Sequence, residues 1–350
     1  MFSYDALTAK CRCLAGKLLT AEQYAALSEK NSFADAVAFL KEETSYSARL
    51  DQVDPSKVRR ARLESLLEGD LIDAYAKLYV FASGADRHFI GDLAKEYEIR
   101  YLLDAVRATE YDDSMEFYNI PRFIREHSSV DFARIFRTDS KEEILSALSG
   151  TEYAEILKPI LETSGAPFAL IEAELNRSYY KKLVTKYSAV FEKAQRERIR
   201  AAISVKTDLM NISCVIRLRR FAALRAGKER VSLDIASVFP LLMPVSGRMK
   251  EPDLASLCRD ELNIPETIER FASLYKISPE LLYGQNPTGE YGSAMLFATA
   301  KKAASRSEPS FDAVFGYLSL KRFEIDNIIY ILEALRYGMS AESIRGALLI

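Results

Sequence analysis

The sequence predicts an all-α protein, and three observations lead to this fold class. Its 350 residues include only 14 Gly and 11 Pro, fewer turn-forming residues than the many short strands of a sandwich or barrel require. No segment shows a sustained alternation of apolar and polar residues, which is the pattern of a half-buried strand. Several segments instead place apolar residues at the spacing of a helix buried on one face, and 49% of all residues are apolar, enough for a substantial core.

The predicted helical segments follow one another along the chain with short breaks between them. Amphipathic runs occur at residues 20–40, 58–79, 166–191 and 309–320. Stretches that contain Gly, Pro or clustered charge interrupt the helical pattern at residues 111–121, 227–230, 244–252 and 283–293.

A ten-residue helical motif occurs three times, at residues 98–107, 208–217 and 324–333. Each copy opens with an acid in the first turn, where the helix dipole favours negative charge, and the first two copies end in Arg. The positions that define the motif are Glu98, Arg107, Asp208, Asn211, Arg217, Glu324 and Asn327. The apolar positions, which are predicted to be buried, are 99, 102, 103 and 106, then 209, 212 and 216, then 325, 328, 329 and 332.

A second, shorter element supports the repeat. Thr44-x-Tyr46 recurs as Thr151-x-Tyr153, and in both copies a Leu follows the tyrosine one helical turn later. The offset between these two copies is similar to the offset between successive helical motifs, which begin at residues 98, 208 and 324. We therefore predict three helical subdomains in a pseudo-threefold arrangement, with boundaries at residues 1–115, 116–226 and 227–350.

Charge is distributed unevenly along the chain. Residues 181–230 contain fourteen Lys or Arg and four acids, a net charge of +10, whereas the whole chain carries −2. A basic stripe beside an acidic body favours oriented docking on charged partners. The candidate docking surface consists of Arg219, Arg220, Arg225, Lys228 and Arg230.

The sequence offers little for catalysis, metal binding or nucleotide binding. Its two histidines are His88 and His127, and neither lies in a sequence pattern that predicts a general base. The cysteines lack the spacing of a zinc site or of a disulfide framework, so we expect reduced thiols. The loop from Gly284 to Gly289 has the glycine spacing of a phosphate-binding loop, but Glu290 occupies the lysine position and would repel phosphate. No segment is long and apolar enough to predict a membrane span.

The same residues carry a resemblance to a known family. Asp208-Leu-Met-Asn211-Ile and Glu324-Ile-Asp-Asn327-Ile, together with the N-terminal pattern Tyr4-x-Ala-Leu-x-Ala-Lys-x-Arg12, resemble the C subunit of V/A-type ATPases. The eukaryotic member of this family is the d subunit of the vacuolar ATPase. The resemblance extends from Tyr4 to the C-terminus, and the first helical motif departs from it by having Tyr101 where the other two have Asn.

The resemblance implies a funnel of three similar helical lobes and a role in a rotary motor. A protein of this family is expected to seat on the membrane proteolipid ring and to receive the foot of the central stalk, so that ATP hydrolysis or synthesis is coupled to proton or sodium translocation. Such a protein would have no active site, cofactor or bound nucleotide of its own, and would be peripheral on the cytoplasmic face of the membrane.

Three interpretations of the basic segment remain open from the sequence alone. It could be a solvated face, a surface for acidic subunits or anionic lipid headgroups, or a phosphate-binding stripe of a helical scaffold that binds nucleic acid. An unrecognised helical enzyme is a further alternative, which would require a deep pocket with perturbed titratable groups.

Overall fold

The computed structural model of the chain describes residues 3–111, 120–163, 168–188, 190–227, 231–243, 247–259, 264–276, 278–279, 292–306 and 309–350. Within these ranges every regular element is a helix, which confirms the predicted all-α class. None of the helices described is long and apolar enough to cross a membrane. The chain divides into two compact units: unit 1 contains Met1–Arg87 and Glu280–Ile350, and unit 2 contains His88–Pro279. The division into three subdomains stays a prediction.

The helices are numbered in chain order. The first five are α1 (Ser3–Ala15), α2 (Ala21–Ser28), α3 (Phe33–Glu43), α4 (Ser47–Leu50) and α5 (Arg60–Phe81). The middle of the chain forms α6 (Gly84–Tyr111), α7 (Arg122–His127), α8 (Phe132–Ile135), α9 (Lys141–Ala147), α10 (Glu152–Leu161), α11 (Phe168–Ser188), α12 (Lys193–Ala226), α13 (Ile235–Val238), a 3₁₀ turn (Phe239–Leu241), α14 (Glu251–Cys258) and α15 (Ile264–Tyr275). The last three are α16 (Ser293–Ala304), α17 (Asp312–Arg336) and α18 (Ala341–Ala347).

Unit 1 is built around α17, which packs against α1, α2, α3, α5 and α16. Its contact with α16 is especially close at Gly316. A Cβ atom at this position would lie 2.9 Å from both the Ala300 carbonyl oxygen and the Ala304 Cα, closer than such atoms approach in folded proteins. Glycine therefore allows the two helices to touch through their backbones.

Unit 2 contains the longest helix, α12, whose 34 residues extend about 50 Å at 1.5 Å per residue. It packs against α11 and α14. The helix ends at Gly227, which adopts the left-handed conformation with φ of 62°. This conformation favours glycine at helix ends, and it stops the helix where the sequence predicts a break.

The apolar faces predicted for the three repeat helices are buried, with one exception. Their side chains on α6, α12 and α17 are all less than 9% exposed apart from Ile329, which is partly exposed. The predicted run at residues 20–40 is two helices, because the Ser32 side chain accepts the Asp35 N–H and so caps α3. The run at residues 309–320 joins the third motif in the single helix α17.

Candidate functional site

The acid that opens the third repeat motif is buried in unit 1 among hydrogen-bond donors. Glu324 on α17 is 3% exposed. Its carboxylate accepts hydrogen bonds from the Tyr46 hydroxyl at 2.7 Å and from the Leu19 backbone N–H at 2.5 Å. Lys321 lies 2.8 Å from this carboxylate and also 2.8 Å from Asp70. Because a buried carboxylate is costly without donors and an opposite charge, these contacts make the interior position of Glu324 stable.

Tyr46 keeps its hydroxyl proton and therefore donates its hydrogen bond to Glu324. Burial raises the pKa of Tyr46 well above its usual value, and the neighbouring Glu324 charge adds to this effect. Lys321 lies 4.3 Å from the centre of the Tyr46 ring and 3.0 Å from its hydroxyl oxygen. The three side chains therefore form one hydrogen-bonded cluster in the core of unit 1.

The acid of the second motif has an equivalent environment in unit 2. Asp208 is fully buried, and its Oδ2 accepts the Tyr275 hydroxyl at 2.5 Å and the Met249 backbone N–H at 3.1 Å. The other carboxylate oxygen has no hydrogen-bond partner among the described residues. Burial raises the pKa of Asp208, and the bonds from Tyr275 and from the backbone oppose that shift. A Cβ atom at Gly247 would overlap the Asp208 carboxylate, so this loop must carry glycine to close over the acid.

The acid of the first motif completes the pattern. Glu98 on α6 is 3% exposed, and the side chains of Ser128 and Tyr153 interact with its carboxyl group. Burial raises the pKa of Glu98, and the neighbouring Ser128 and Tyr153 side chains and the Lys95 charge oppose the shift. Each repeat acid thus interacts with a tyrosine, and we call these contacts the acid–tyrosine pairs: Glu98–Tyr153, Asp208–Tyr275 and Glu324–Tyr46.

The order of the acid–tyrosine pairs along the chain is cyclic. In the predicted repeats, the acid of the first pairs with the tyrosine of the second, and the acid of the second pairs with the tyrosine of the third. The acid of the third repeat pairs with the tyrosine of the first repeat. The Thr-x-Tyr pattern does not include Tyr275, because the third copy of this element reads Ser273-x-Tyr275, with serine in place of threonine. A pattern that accepts either serine or threonine at the first position includes all three tyrosines.

The asparagines of the second and third motifs share one type of contact. The Asn211 amide donates to the Met243 carbonyl oxygen at 3.3 Å and accepts the Met243 N–H at 2.7 Å. The Asn327 amide makes the same two bonds with the Leu349 backbone, at 2.7 and 3.3 Å. Both side chains therefore anchor an irregular segment to the repeat helix. Tyr101 replaces asparagine in the first motif and packs edge-on against Phe132.

The basic ends of the motifs lie at the surface. Arg107 and Arg217 are exposed, and Arg107 stacks over the Phe168 ring with 4.8 Å to the ring centre. The third motif has Glu333 at this position, and it forms an ion pair with Arg60 at 3.0 Å. The motif positions therefore divide into buried polar residues that join segments and exposed arginines.

Several cations of the basic segment are neutralised within unit 2. Lys186 pairs with Asp92 at 2.5 Å, Lys206 pairs with Glu96 at 2.6 Å, and Lys182 pairs with Glu152. These pairs leave less free positive charge than the sequence count of +10 indicates. An uninterrupted phosphate-binding stripe for nucleic acid is accordingly not favoured along α11 and α12.

The C-terminal part of α12 presents the remaining candidate docking residues. Arg219 is 7% exposed, and its guanidinium donates to the Leu257 carbonyl oxygen at 3.4 Å, so it packs inside unit 2. Arg220 and Arg225 are exposed. Lys228 and Arg230 lie outside the described residues.

Two large apolar side chains lie beside these arginines, and the charge pattern of the sequence does not reveal them. Phe221 is 60% exposed and Leu224 is 82% exposed. With Arg217 and Arg220 they fall at helical spacing on one face of α12, and Arg225 lies 5.7 Å from the centre of the Phe221 ring. We call Arg217, Arg220, Phe221, Leu224 and Arg225 the α12 end surface.

The described residues contain no group of three or more His, Cys, Asp or Glu side chains placed to hold a metal ion. All four cysteines are free, and burial raises the pKa of Cys11 to about 12, which keeps its thiol protonated. The glycine loop with Glu290 lies outside the described residues.

Comparison with known proteins identifies the family. The family described as ATP synthase (C/AC39) subunit matches residues 7–347. The chain is 24% identical over 220 residues to the C subunit of the A-type ATP synthase of Methanosphaera stadtmanae, a match that covers 62% of this chain and 55% of that protein. It is 21% identical over 347 residues to the protein of the same name from Archaeoglobus fulgidus, covering 98% and 95% of the two chains. The corresponding protein of Methanococcoides burtonii is 24% identical over 364 aligned positions, covering 99% and 94%.

These matches confirm the resemblance found in the sequence. The alignment spans little more than half of the first of these relatives, whereas it spans nearly all of the other two. Because the family match itself extends from residue 7 to residue 347, this protein belongs to the ATP synthase (C/AC39) subunit family.

Proposed function

We propose that this protein is a non-catalytic adaptor of the central rotor in a V/A-type rotary ATPase. In this role it links the central stalk to the membrane proteolipid ring and so couples ATP hydrolysis or synthesis to proton or sodium translocation. The observation that carries the proposal is the family match over residues 7–347, together with relatives that are named as C subunits of A-type ATP synthases. The protein would act from the cytoplasmic side, peripheral to the membrane.

The acid–tyrosine pairs support a role in transmitting force. A rotor adaptor must transmit torque, so its segments must not slide past one another under load. Glu324 and Tyr46 are 278 residues apart in sequence, and their buried hydrogen bond fastens α17 to the N-terminal part of unit 1. Buried, satisfied polar contacts of this kind fix one packing arrangement rather than several.

The α12 end surface is the docking site that we propose for a partner protein of the rotor. Exposed aromatic and aliphatic side chains ringed by arginine are typical of protein interfaces, where Phe and Arg are enriched. The complementary partner would present an apolar patch bordered by acids. Phe221 and Tyr337 occupy the same register after the repeat acids Asp208 and Glu324, and Tyr337 is 75% exposed, so the repeat places an exposed aromatic at this register twice.

Assembly with purified stalk and ring proteins tests this surface. The double variants Arg217→Glu with Arg225→Glu, and Phe221→Ser with Leu224→Ser, change exposed side chains and spare the buried Arg219. We expect both to weaken assembly by about tenfold or more, the range of interface hot spots, while helicity measured by circular dichroism is unchanged.

A matched control lies at the other end of the same helix. Lys193 and Arg200 are exposed on α12, and their double reversal to Glu changes the net charge by the same amount. We expect this variant to assemble like the wild type. Equal assembly of all variants would reject the α12 end surface as a docking site, and binding to single-stranded nucleic acid that falls steeply with salt would favour the helical scaffold instead.

A further inference from the structure

Unit 1 contains a cavity whose lining is unusual for a structural void. Its volume is about 500 Å³, which is within the range of small-molecule sites. Charged side chains from four parts of unit 1 line it: Lys10 and Lys17, then Arg49, then Asp70, Asp73 and Lys77, then Lys321. The cavity is open to solvent on one side, and its lining carries five cations against two acids, an excess that favours an anionic ligand.

The helices bring these residues together through regular spacing. Lys10 and Leu14 lie four positions apart on α1, and Lys17 lies in the turn that follows this helix. On α5 the lining residues Asp70, Asp73 and Lys77 are likewise spaced by three and four positions, which places them on one helical face. Tyr317 and Lys321, four positions apart on α17, close the cavity from the core side.

The charge of the lining is positive after its internal pairs are counted. Lys321 contacts Asp70 at 2.8 Å, and Arg49 forms an ion pair with Asp73. These two pairs use both of the lining acids. Lys10, Lys17 and Lys77 remain in excess. Neither Lys17 nor Lys77, which are both exposed, makes an ion pair within the part of the chain that the structure describes.

We propose that this cavity binds a small polyphosphate anion, either free or as the phosphate chain of a nucleotide. Three lysines supply flexible, strongly hydrated positive charges that suit several phosphate groups at once. Arg49, whose ion pairs with Asp70 and Asp73 use only Nη2, would offer its other N–H donors to the anion. Tyr317 also lines the cavity, and a tyrosine hydroxyl is a neutral donor.

A ligand at this site would act on the core of unit 1. Lys321 also contacts Glu324 at 2.8 Å and the Tyr46 hydroxyl at 3.0 Å, so an anion near Lys321 lies next to an acid–tyrosine pair. Binding to the folded chain alone raises its stability by mass action. The proposed site does not depend on the role of the protein in a rotary ATPase, because the isolated chain is enough to test it.

Isothermal titration calorimetry of the purified full chain with sodium tripolyphosphate tests the proposal, with sodium sulfate at matched ionic strength as the reference. We expect saturable binding of one tripolyphosphate and a higher midpoint of thermal unfolding, neither of which sulfate reproduces. In the variant Lys17→Glu with Lys77→Glu, we expect affinity to fall by about tenfold or more, because two charge-assisted contacts become repulsions.

The control variant is Lys158→Glu with Lys302→Glu, which changes two exposed lysines outside the cavity. It should bind tripolyphosphate like the wild type. A second titration with ATP, with tripolyphosphate as competitor, separates the two sources: displacement identifies a nucleotide as a ligand, and binding of tripolyphosphate alone identifies the free anion. Absence of saturable tripolyphosphate binding, or equal weakening in both variants, would overturn the proposal.

Discussion

The Tyr46 hydroxyl donates a 2.7 Å hydrogen bond to the Glu324 carboxylate across 278 residues of sequence. The tyrosine is 1% exposed and the acid is 3% exposed. If one of the two side chains is removed, water therefore cannot replace the hydrogen bond that the other has lost. This contact closes the cyclic order of the three acid–tyrosine pairs and joins the two ends of the chain within unit 1.

Removal of the Tyr46 hydroxyl should destabilise the protein measurably. In Tyr46→Phe the buried Glu324 carboxylate loses a donor and Lys321 loses a contact, with little change in volume. We expect the free energy of unfolding to fall by about 1–3 kcal/mol, the usual cost of a buried group left unsatisfied. Urea denaturation followed by circular dichroism measures this. The control Tyr337→Phe alters a 75% exposed side chain and should change stability little; equal losses would contradict the importance of the pair.

The buried Asp208 should give a distinctive pH dependence. Burial raises its pKa in the folded protein, so the folded state keeps a proton at a pH where the unfolded chain has released it. Its contribution to stability is therefore fully present below the unfolded pKa and is lost as pH rises through the raised folded pKa. We expect the free energy of unfolding of the wild type, minus that of Asp208→Asn, to decline as pH rises through this acidic window.

Urea denaturation of both proteins across a pH series measures that difference. Glu98 has a pKa raised by the same cause, so Glu98→Gln should show a difference of the same sign. A difference that stays constant or grows with pH would mean that these acids do not titrate in a buried environment.

The close contact between α16 and α17 makes a further prediction. In Gly316→Ala the added methyl group would meet the backbone of Ala300 and Ala304, which cannot move aside as a flexible side chain would. We expect a loss of about 1–3 kcal/mol in the free energy of unfolding, the typical cost of overpacking.

A matched glycine is available on α18. Gly346 has open space around its Cα, so Gly346→Ala introduces no overlap. Alanine has the higher helix propensity, and we expect this variant to be neutral or more stable by up to about 1 kcal/mol. Thermal unfolding of the two variants side by side measures the contrast, and a tolerated Gly316→Ala would show that α16 and α17 can separate at low cost.

Much of the fold follows from local sequence patterns. The apolar stripes of the repeat helices predict which faces are buried, because a helix places residues three and four positions apart on one side. The same reasoning cannot tell that residues 20–40 form two helices, since the Ser32 cap is a single local signal within an otherwise continuous apolar pattern.

The contacts of the buried acids are harder to predict. Glu98 is recognisable as a repeat position, but its interaction with Tyr153 depends on how α6 and α10 are placed by the fold of unit 2. Arg219 and Arg220 are neighbours in one basic run, yet packing against Leu257 buries the first and leaves the second exposed. Such differences arise from tertiary packing, which a charge count does not contain.

The most direct test of the proposed rotor adaptor uses the intact enzyme complex from membranes of the host organism, isolated through an affinity tag on this chain. Native mass spectrometry then gives the composition before and after the catalytic head is dissociated. We expect one copy of this chain per complex, and we expect it to remain with the proteolipid ring or the central stalk when the catalytic subunits leave. A chain that leaves with the catalytic head, or that carries none of these subunits, would contradict the proposed function.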